Sequence, residues 1–217
     1  MEAHRYGNLM LRKLRFAAYG LIALLVVLWG VVWLREDGAN RLGLTGLGIS
    51  MPGGVSMGGP FTLVDTAGAA VTEATYRGRW MLVFFGYTFC PDVCPTELQT
   101  VAAAMDLLGP AAEAVVPVFI TIDPERDTPD ALGEYVKLFD DRVVGLTGTP
   151  EQIAAAARSY RVYYAKSRSG DATTYLMDHS SFLYLIGPDG GFKALFKHGT
   201  TPQELADALK GRLAAGG

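Results

Sequence analysis

Any thiol chemistry in this chain rests on two residues, because Cys90 and Cys94 are its only cysteines. They lie in Gly86-Tyr-Thr-Phe-Cys90-Pro-Asp-Val-Cys94-Pro-Thr-Glu-Leu98, directly after the uncharged run Met81-Leu-Val-Phe-Phe85. Such a run reads as a strand buried on both faces. Both thiols therefore fall at the carboxyl end of a strand, where open α/β sheets place ligands. Pro95 suits the first turn of a following helix and puts Cys94 at or beside the N-cap. There the helix dipole and its unpaired N–H groups favour the thiolate. Thiolate is the form that binds metals and attacks disulfides.

Three chemistries compete for this pair. A structural disulfide would close a very small loop, the least stabilising kind in the chain-entropy account. A redox-active dithiol is a second reading, although the common redox spacing has two intervening residues rather than three. A soft-metal site is the third, because thiolates select Cu(I), zinc or iron–sulfur clusters. A third ligand should be a histidine, and the chain has His4, His179 and His198. His4 precedes a long apolar segment and is placed across a membrane from the cysteines. His179, in Tyr175-Leu-Met-Asp178-His179-Ser-Ser181, immediately precedes a predicted strand. His198 follows the last strand in a Lys-His-Gly turn and reads as an exposed loop histidine. Met51 and Met57 are further soft donors, but a pair of methionines in a glycine-rich stretch is ordinarily incidental.

The elements that must position these residues alternate between strand and helix. Phe61–Val64 and a short strand near Val71, separated by Asp65-Thr-Ala-Gly68, predict an opening hairpin. After the buried strand, Pro95–Leu108 has the apolar spacing of a helix, and Val115–Ile122 is a second β-branched run. Helices are predicted over Asp130–Phe139 and Pro150–Tyr160, capped by Thr128 and Thr149, with a short strand over Val143–Leu146 between them. Phe182–Ile186, the turn Gly187-Pro-Asp-Gly190 and Phe192–Phe196 form a hairpin, and Thr201–Leu213 closes as a helix. A βαβ unit followed by a terminal ββα unit is the thioredoxin-like order. The prediction is one α/β domain over 59–217.

Upstream, Phe16–Leu34 is nineteen residues without a charge. At about 1.5 Å per residue such a helix approaches the bilayer's hydrocarbon thickness of about 30 Å. Trp29 and Trp33 lie near its far end, as interfacial rings prefer. The run is too long for a signal peptide and continues into Arg35-Glu36-Asp37 rather than a small-residue cleavage site. Arg5, Arg12, Lys13 and Arg15 precede it, so the positive-inside rule predicts residues 1–15 in the cytoplasm, an anchor over 16–34 and the body outside. A glycine-rich linker over 35–58 would give the body reach. From Glu36 onward 14 basic residues face 21 acidic ones, a net −7 that argues against a nucleic-acid partner.

Taken together, Gly86-Tyr-Thr-Phe-Cys90-Pro-Asp-Val-Cys94-Pro, Thr121-Ile-Asp123-Pro-Glu-Arg-Asp127-Thr-Pro129, Asp178-His179-Ser180 and Tyr184-Leu-Ile-Gly-Pro-Asp-Gly190 resemble the SCO/SenC family. Its members are membrane-anchored copper chaperones of cytochrome c oxidase assembly with a thioredoxin-like fold. The resemblance runs from about Gly59 to the C-terminus and extends to the anchor. It implies Cys90, Cys94 and His179 as copper ligands and Asp123 as an acidic neighbour of the metal loop. The family divides between copper delivery and thiol reduction, so both remain open. The implied partners are oxidase subunit II and other copper chaperones, and the implied place is a bacterial inner membrane with the body in the periplasm.

The residues agree with copper on their own terms. Two thiolates and an imidazole make a low-coordination set suited to Cu(I); Cu(II) needs a further donor, and structural zinc prefers a fourth protein ligand. In an oxidising compartment the dithiol must first be reduced. A thioredoxin-like reductant is therefore an expected partner.

Overall fold

The computed structural model describes residues 57–167 and 175–215, together with helical positions 16, 19, 20, 22 and 24–29. The chain divides into two units, Met1–Thr45 and Gly46–Gly217. In the first, the described positions are helical and their side chains exposed, including Phe16, Leu24, Val27 and Trp29. No helix among the described residues is long and apolar enough to cross a membrane. Much of the predicted anchor lies outside the described residues, as do His4 and Met51.

The second unit is built on strands β1 (Thr62–Asp65), β2 (Ala70–Thr72), β3 (Trp80–Gly86), β4 (Val115–Thr121), β5 (Val144–Thr147), β6 (Tyr164–Lys166), β7 (Met177–His179), β8 (Phe182–Ile186) and β9 (Phe192–Lys197). Its helices are α1 (Val93–Leu108), α2 (Pro129–Lys137), α3 (Pro150–Tyr160) and α4 (Pro202–Ala215). Seven strands form one sheet in the order β2-β1-β5-β4-β3-β8-β9, and β6 and β7 pair apart from it. β3, β4 and β5 run parallel, while β8 and β9 continue the sheet antiparallel.

Sequence dictates the centre of this sheet. Every residue of β3 and β4 is buried, as expected of apolar runs covered by helices on both faces. Their register sets Gly86 beside Thr121, so the loops leaving both strands emerge together. The Ile122 N–H donates to the Gly86 carbonyl at 2.8 Å and fastens that exit. The helix starts follow from their caps. The Thr128 hydroxyl accepts from Ala131 N–H, and Thr149 and Gln152 form a reciprocal capping box.

Three details depart from the sequence reading. Helix α1 begins at Val93 with Asp92 as N-cap, so Cys94 is its second residue. His179 precedes the predicted strand, now β8, but also ends an unpredicted one, β7, where it pairs with Tyr164 of β6. Met57, assigned to the linker, is buried in the core beside a Gly58 N–H that donates to the Ser159 carbonyl at 2.9 Å. Its thioether is a packing group.

Candidate metal centre

The three donors predicted from sequence meet. Cys90 Sγ, Cys94 Sγ and a ring nitrogen of His179 lie within 4.8 Å of one another, with Cys94 buried and the other two half-buried. This is the only such group of three or more among the described residues.

Cys90 sits on the turn between β3 and α1, where its N–H donates to the Tyr87 carbonyl at 3.3 Å. Asp92 gives no side-chain cap to α1. The Cys90 sulfur takes that place by accepting the Cys94 N–H at 3.4 Å. A helix start leaves N–H groups unpaired, and an anionic sulfur is a natural acceptor for them. The Cys90 thiol is accordingly pulled down to about 3, first by the Cys94 thiol donating to it, then by His179 and the N–H groups of Cys94 and Asp92, against the opposing effect of burial. Cys94 is pushed up, first by that donation and then by burial and the Cys90 charge. Of the two sulfurs, Cys90 is the one favoured as thiolate and Cys94 the one favoured as thiol. Both cysteines are free thiols.

A glycine makes room for the buried sulfur. A Cβ on Gly86 would stand 2.7 Å from Cys94 Sγ and 2.7 Å from the Phe119 ring. The loop above is braced by Asp127, a fully buried carboxylate. It accepts from Thr88 N–H at 3.1 Å, Thr88 Oγ1 at 2.6 Å and Thr121 Oγ1 at 2.5 Å. Burial raises its pKa, and those hydroxyl donors draw it back.

His179 arrives from the separate β6–β7 ribbon. Its Nδ1 lies 3.0 Å from the Ser180 carbonyl. A carbonyl only accepts, so Nδ1 carries the proton and Nε2 turns its lone pair toward Cys94 Sγ, 3.6 Å away. The imidazole stands edge-on to Phe84 and Tyr87, with ring centroids 6.2 and 6.0 Å away. The Tyr87 hydroxyl accepts the Met177 N–H at 3.1 Å, fixing the histidine's strand to the cysteines' loop.

Asp123 is buried one shell away and belongs to a different network. It accepts from the Tyr175 hydroxyl at 2.7 Å and pairs with Arg126. Arg126 Nη1 donates to the Tyr175 carbonyl at 3.0 Å, and its guanidinium covers the Tyr175 and Phe89 rings at 3.8 and 4.6 Å. Asp123 thus ties the β4 exit to the approach of β7.

His198 is no idle loop residue. Its Nδ1 lies 2.5 Å from Glu97 Oε1, and Glu97 is only 2% exposed. His198 is exposed and follows β9, as the sequence predicts; the contact with buried Glu97 is the added finding. Sequence reasoning also passed over Gly86, Tyr87, Thr88 and Asp127 as site residues. Gly86 alone had a local signal, a glycine closing a fully apolar strand.

A sheet of this order, with two thiols after its central strand and an imidazole over them, defines a thioredoxin-like protein with a Cys–Cys–His centre. The chain belongs to the SCO1/SenC family, whose model matches residues 50–214. It is 46% identical over 153 residues to Protein SenC of Rhodobacter capsulatus, covering 70% of this chain and 69% of that protein. It is 45% identical over 158 residues to the mitochondrial SCO1 homolog 1 of Arabidopsis thaliana, covering 72% of this chain but only 47% of that longer protein. Among solved structures, Bradyrhizobium japonicum ScoI with copper bound matches with a TM-score of 0.67 at 44% identity, over 71% of this chain and 98% of that one.

Proposed function

We propose that this chain is a membrane-anchored copper chaperone that delivers copper to the binuclear site of cytochrome c oxidase subunit II during assembly. The carrying observation is the convergence of Cys90, Cys94 and His179 within 4.8 Å. Cys90 Sγ, Cys94 Sγ and His179 Nε2 would hold the ion. Two soft sulfurs and one nitrogen suit Cu(I), which tolerates three ligands; Cu(II) requires another donor. Family membership and a copper-bound relative at 44% identity support the same cargo.

The geometry suits transfer as well as storage. Cys94 is buried, whereas Cys90 is partly exposed and low in pKa, so an incoming thiolate would displace the Cys90 bond first. Copper donors, subunit II and a thioredoxin-like reductant are the proposed partners. The anchor reading, an inner-membrane helix over 16–34 with the body in the periplasm, is supported by apolar side chains on all sides of the described helical positions. Protease added to spheroplasts should digest the body.

A second reading is a thiol–disulfide oxidoreductase. The charged, accessible Cys90 beside a buried, protonated Cys94 is the asymmetry of an attacking and a resolving thiol. Copper titration of the reduced chain separates the two. The copper reading expects one Cu(I) per chain, lost in Cys90→Ser and Cys94→Ser and weakened in His179→Ala. If the reduced parent takes up no copper yet reduces disulfides at an enzymatic rate, the chaperone reading fails.

A further inference from the structure

The buried Asp123 carboxylate calls for a cation, and a lysine at position 126 would supply one. The arginine does more than balance that charge. Its guanidinium meets groups from three segments: the Asp123 carboxylate at the β4 exit, the Tyr87 and Phe89 rings on the cysteines' loop, and Tyr175 on the approach to β7. Cζ stands 5.8 Å from the Tyr87 centroid, 4.6 Å from that of Phe89 and 3.8 Å from that of Tyr175. Nη1 donates to the Tyr175 carbonyl at 3.0 Å, whereas Nη2 is buried without a hydrogen-bond partner among the described residues. An unmade bond of this kind is costly, and an ammonium would pair with Asp123 without it. What only the guanidinium offers is a flat cation that stacks and donates at once. Phe89 adjoins Cys90 in the sequence, and Tyr175 lies four residues before His179. The plane therefore joins the two ligand-bearing segments.

We infer that Arg126 is a positioning residue of the metal centre: its guanidinium plane, rather than its charge, docks the His179 ribbon onto the cysteines' loop. The other ties across this junction are the Tyr87 hydroxyl to Met177 N–H and the Lys166–Glu125 ion pair. That ion pair is exposed on both sides, and such pairs hold little. Lysine at 126 keeps a positive charge beside Asp123 but loses the stacked plane and the Nη1 bond. The thiols then stay where β3 and α1 put them, and the imidazole loses its fixed place above them. The inference deepens the copper reading and rests on it only for the identity of the metal.

The test compares the reduced full chain with Arg126→Lys, first without metal. The His179 ring stands edge-on to Phe84 and Tyr87, so its carbon-bound protons carry ring-current shifts, assigned by their absence in His179→Ala. At about pH 8, above the ordinary imidazole range, these signals should move toward free-histidine values in Arg126→Lys. Those of His198 should stay in place, and the melting temperature should change little. Arg126→Lys should also release Cu(I) to a chromogenic chelator about tenfold more readily than the parent. His179→Ala should release it more readily still. Adding Arg126→Lys to His179→Ala should change release no further, because the effect runs through the imidazole. Losses that simply add, parental release, or unmoved His179 signals each overturn the inference. So does equal movement of the His198 signals with a lower melting temperature, which would make Arg126 merely structural. If the parent retains no Cu(I) but the His179 signals move in Arg126→Lys, the copper reading fails and the role of Arg126 stands. Should Arg126→Lys not fold, the pair Asp123→Asn/Arg126→Met, which leaves no unbalanced buried charge, is read in the same way.

Discussion

The thiol half and the imidazole half of the centre reach the same point on different kinds of support. The thiols stand on the end of β3, inside a sheet whose central strands are wholly buried, and their loop is tied to β4 through Asp127. The histidine stands on a two-stranded ribbon outside that sheet. Single contacts hold the ribbon: Tyr87 to Met177, Arg126 and Asp123 to Tyr175, and Lys166 to Glu125 at 2.7 Å. The first half is preorganised by the core, and the second is docked onto it. Damage to the first should therefore appear as lost stability, and damage to the second as lost metal affinity.

The hardest blow to that contrast is at Asp127. Asp127→Ala strands the Thr88 and Thr121 donors in the interior and should cost about 3 kcal/mol in urea unfolding, with the metal site lost as a consequence. Asp127→Asn isolates the charge. Burial holds the folded carboxyl above its ordinary value, so its contribution to stability is fullest in acid, below the unfolded value, and is lost as pH rises through the folded one. The asparagine variant lacks that term, so its stability should fall more steeply than the parent's as pH drops through the acid range. If Asp127→Ala unfolds like the parent, the loop is not core-supported.

Gly86→Ala comes next. Its Cβ would meet Cys94 Sγ and the Phe119 ring at 2.7 Å, and Gly86 is the last residue of a central strand paired to Thr121 of β4. Overpacking of this kind costs about 2 kcal/mol. Displacement of the buried sulfur should lower Cu(I) retention beyond what the stability loss explains. An alanine variant with parental melting and copper retention would refute the close fit.

His198→Ala tests how far the first half extends. It leaves the buried Glu97 carboxylate without its partner and should lower stability by about 1–2 kcal/mol, with copper retention at 25 °C little changed. Glu97→Gln in the same chain should recover part of the loss. An unchanged melting curve for His198→Ala would show that the contact with Glu97 adds nothing to stability.

The same division governs what could be read from sequence. Elements of the first half announce themselves by composition, since an apolar run such as Met81–Phe85 has few alternatives to a buried strand. Proline and threonine at Thr149-Pro150 place one helix start to the residue, and at Thr128-Pro129 another to within one residue of the predicted Asp130. The ribbon has no such signal. Tyr164–Lys166 and Met177–His179 are three residues each, too short for periodicity, and pair only because tertiary contacts bring them together. The ligand set was legible through the family pattern, because one histidine among three cannot be chosen by chemistry alone. The braces were not: Asp127, Thr88 and Glu97 are ordinary polar residues until the fold buries them. Helix α1 starts earlier than its proline suggests because the Cys90 sulfur does the capping, a role no propensity scale gives to cysteine.

The smallest expected change in stability is also the sharpest test of the two-part construction. Tyr87→Phe removes only the hydroxyl that receives the Met177 N–H, leaving the ring against His179. One hydrogen bond of that kind is worth about 1 kcal/mol, so unfolding should move little. The cysteines lose nothing and should still form their disulfide at the parental rate. The histidine's strand, however, loses its direct tie to the cysteines' loop, and Nε2 is no longer held over Cys94 Sγ. Copper retention should then fall toward that of His179→Ala without reaching it, while Tyr87→Ala, which also removes the ring, should reach it. If Tyr87→Phe retains copper like the parent, the ribbon is held by Arg126 and Tyr175 instead, and Arg126→Ala should produce the loss that Tyr87→Phe did not.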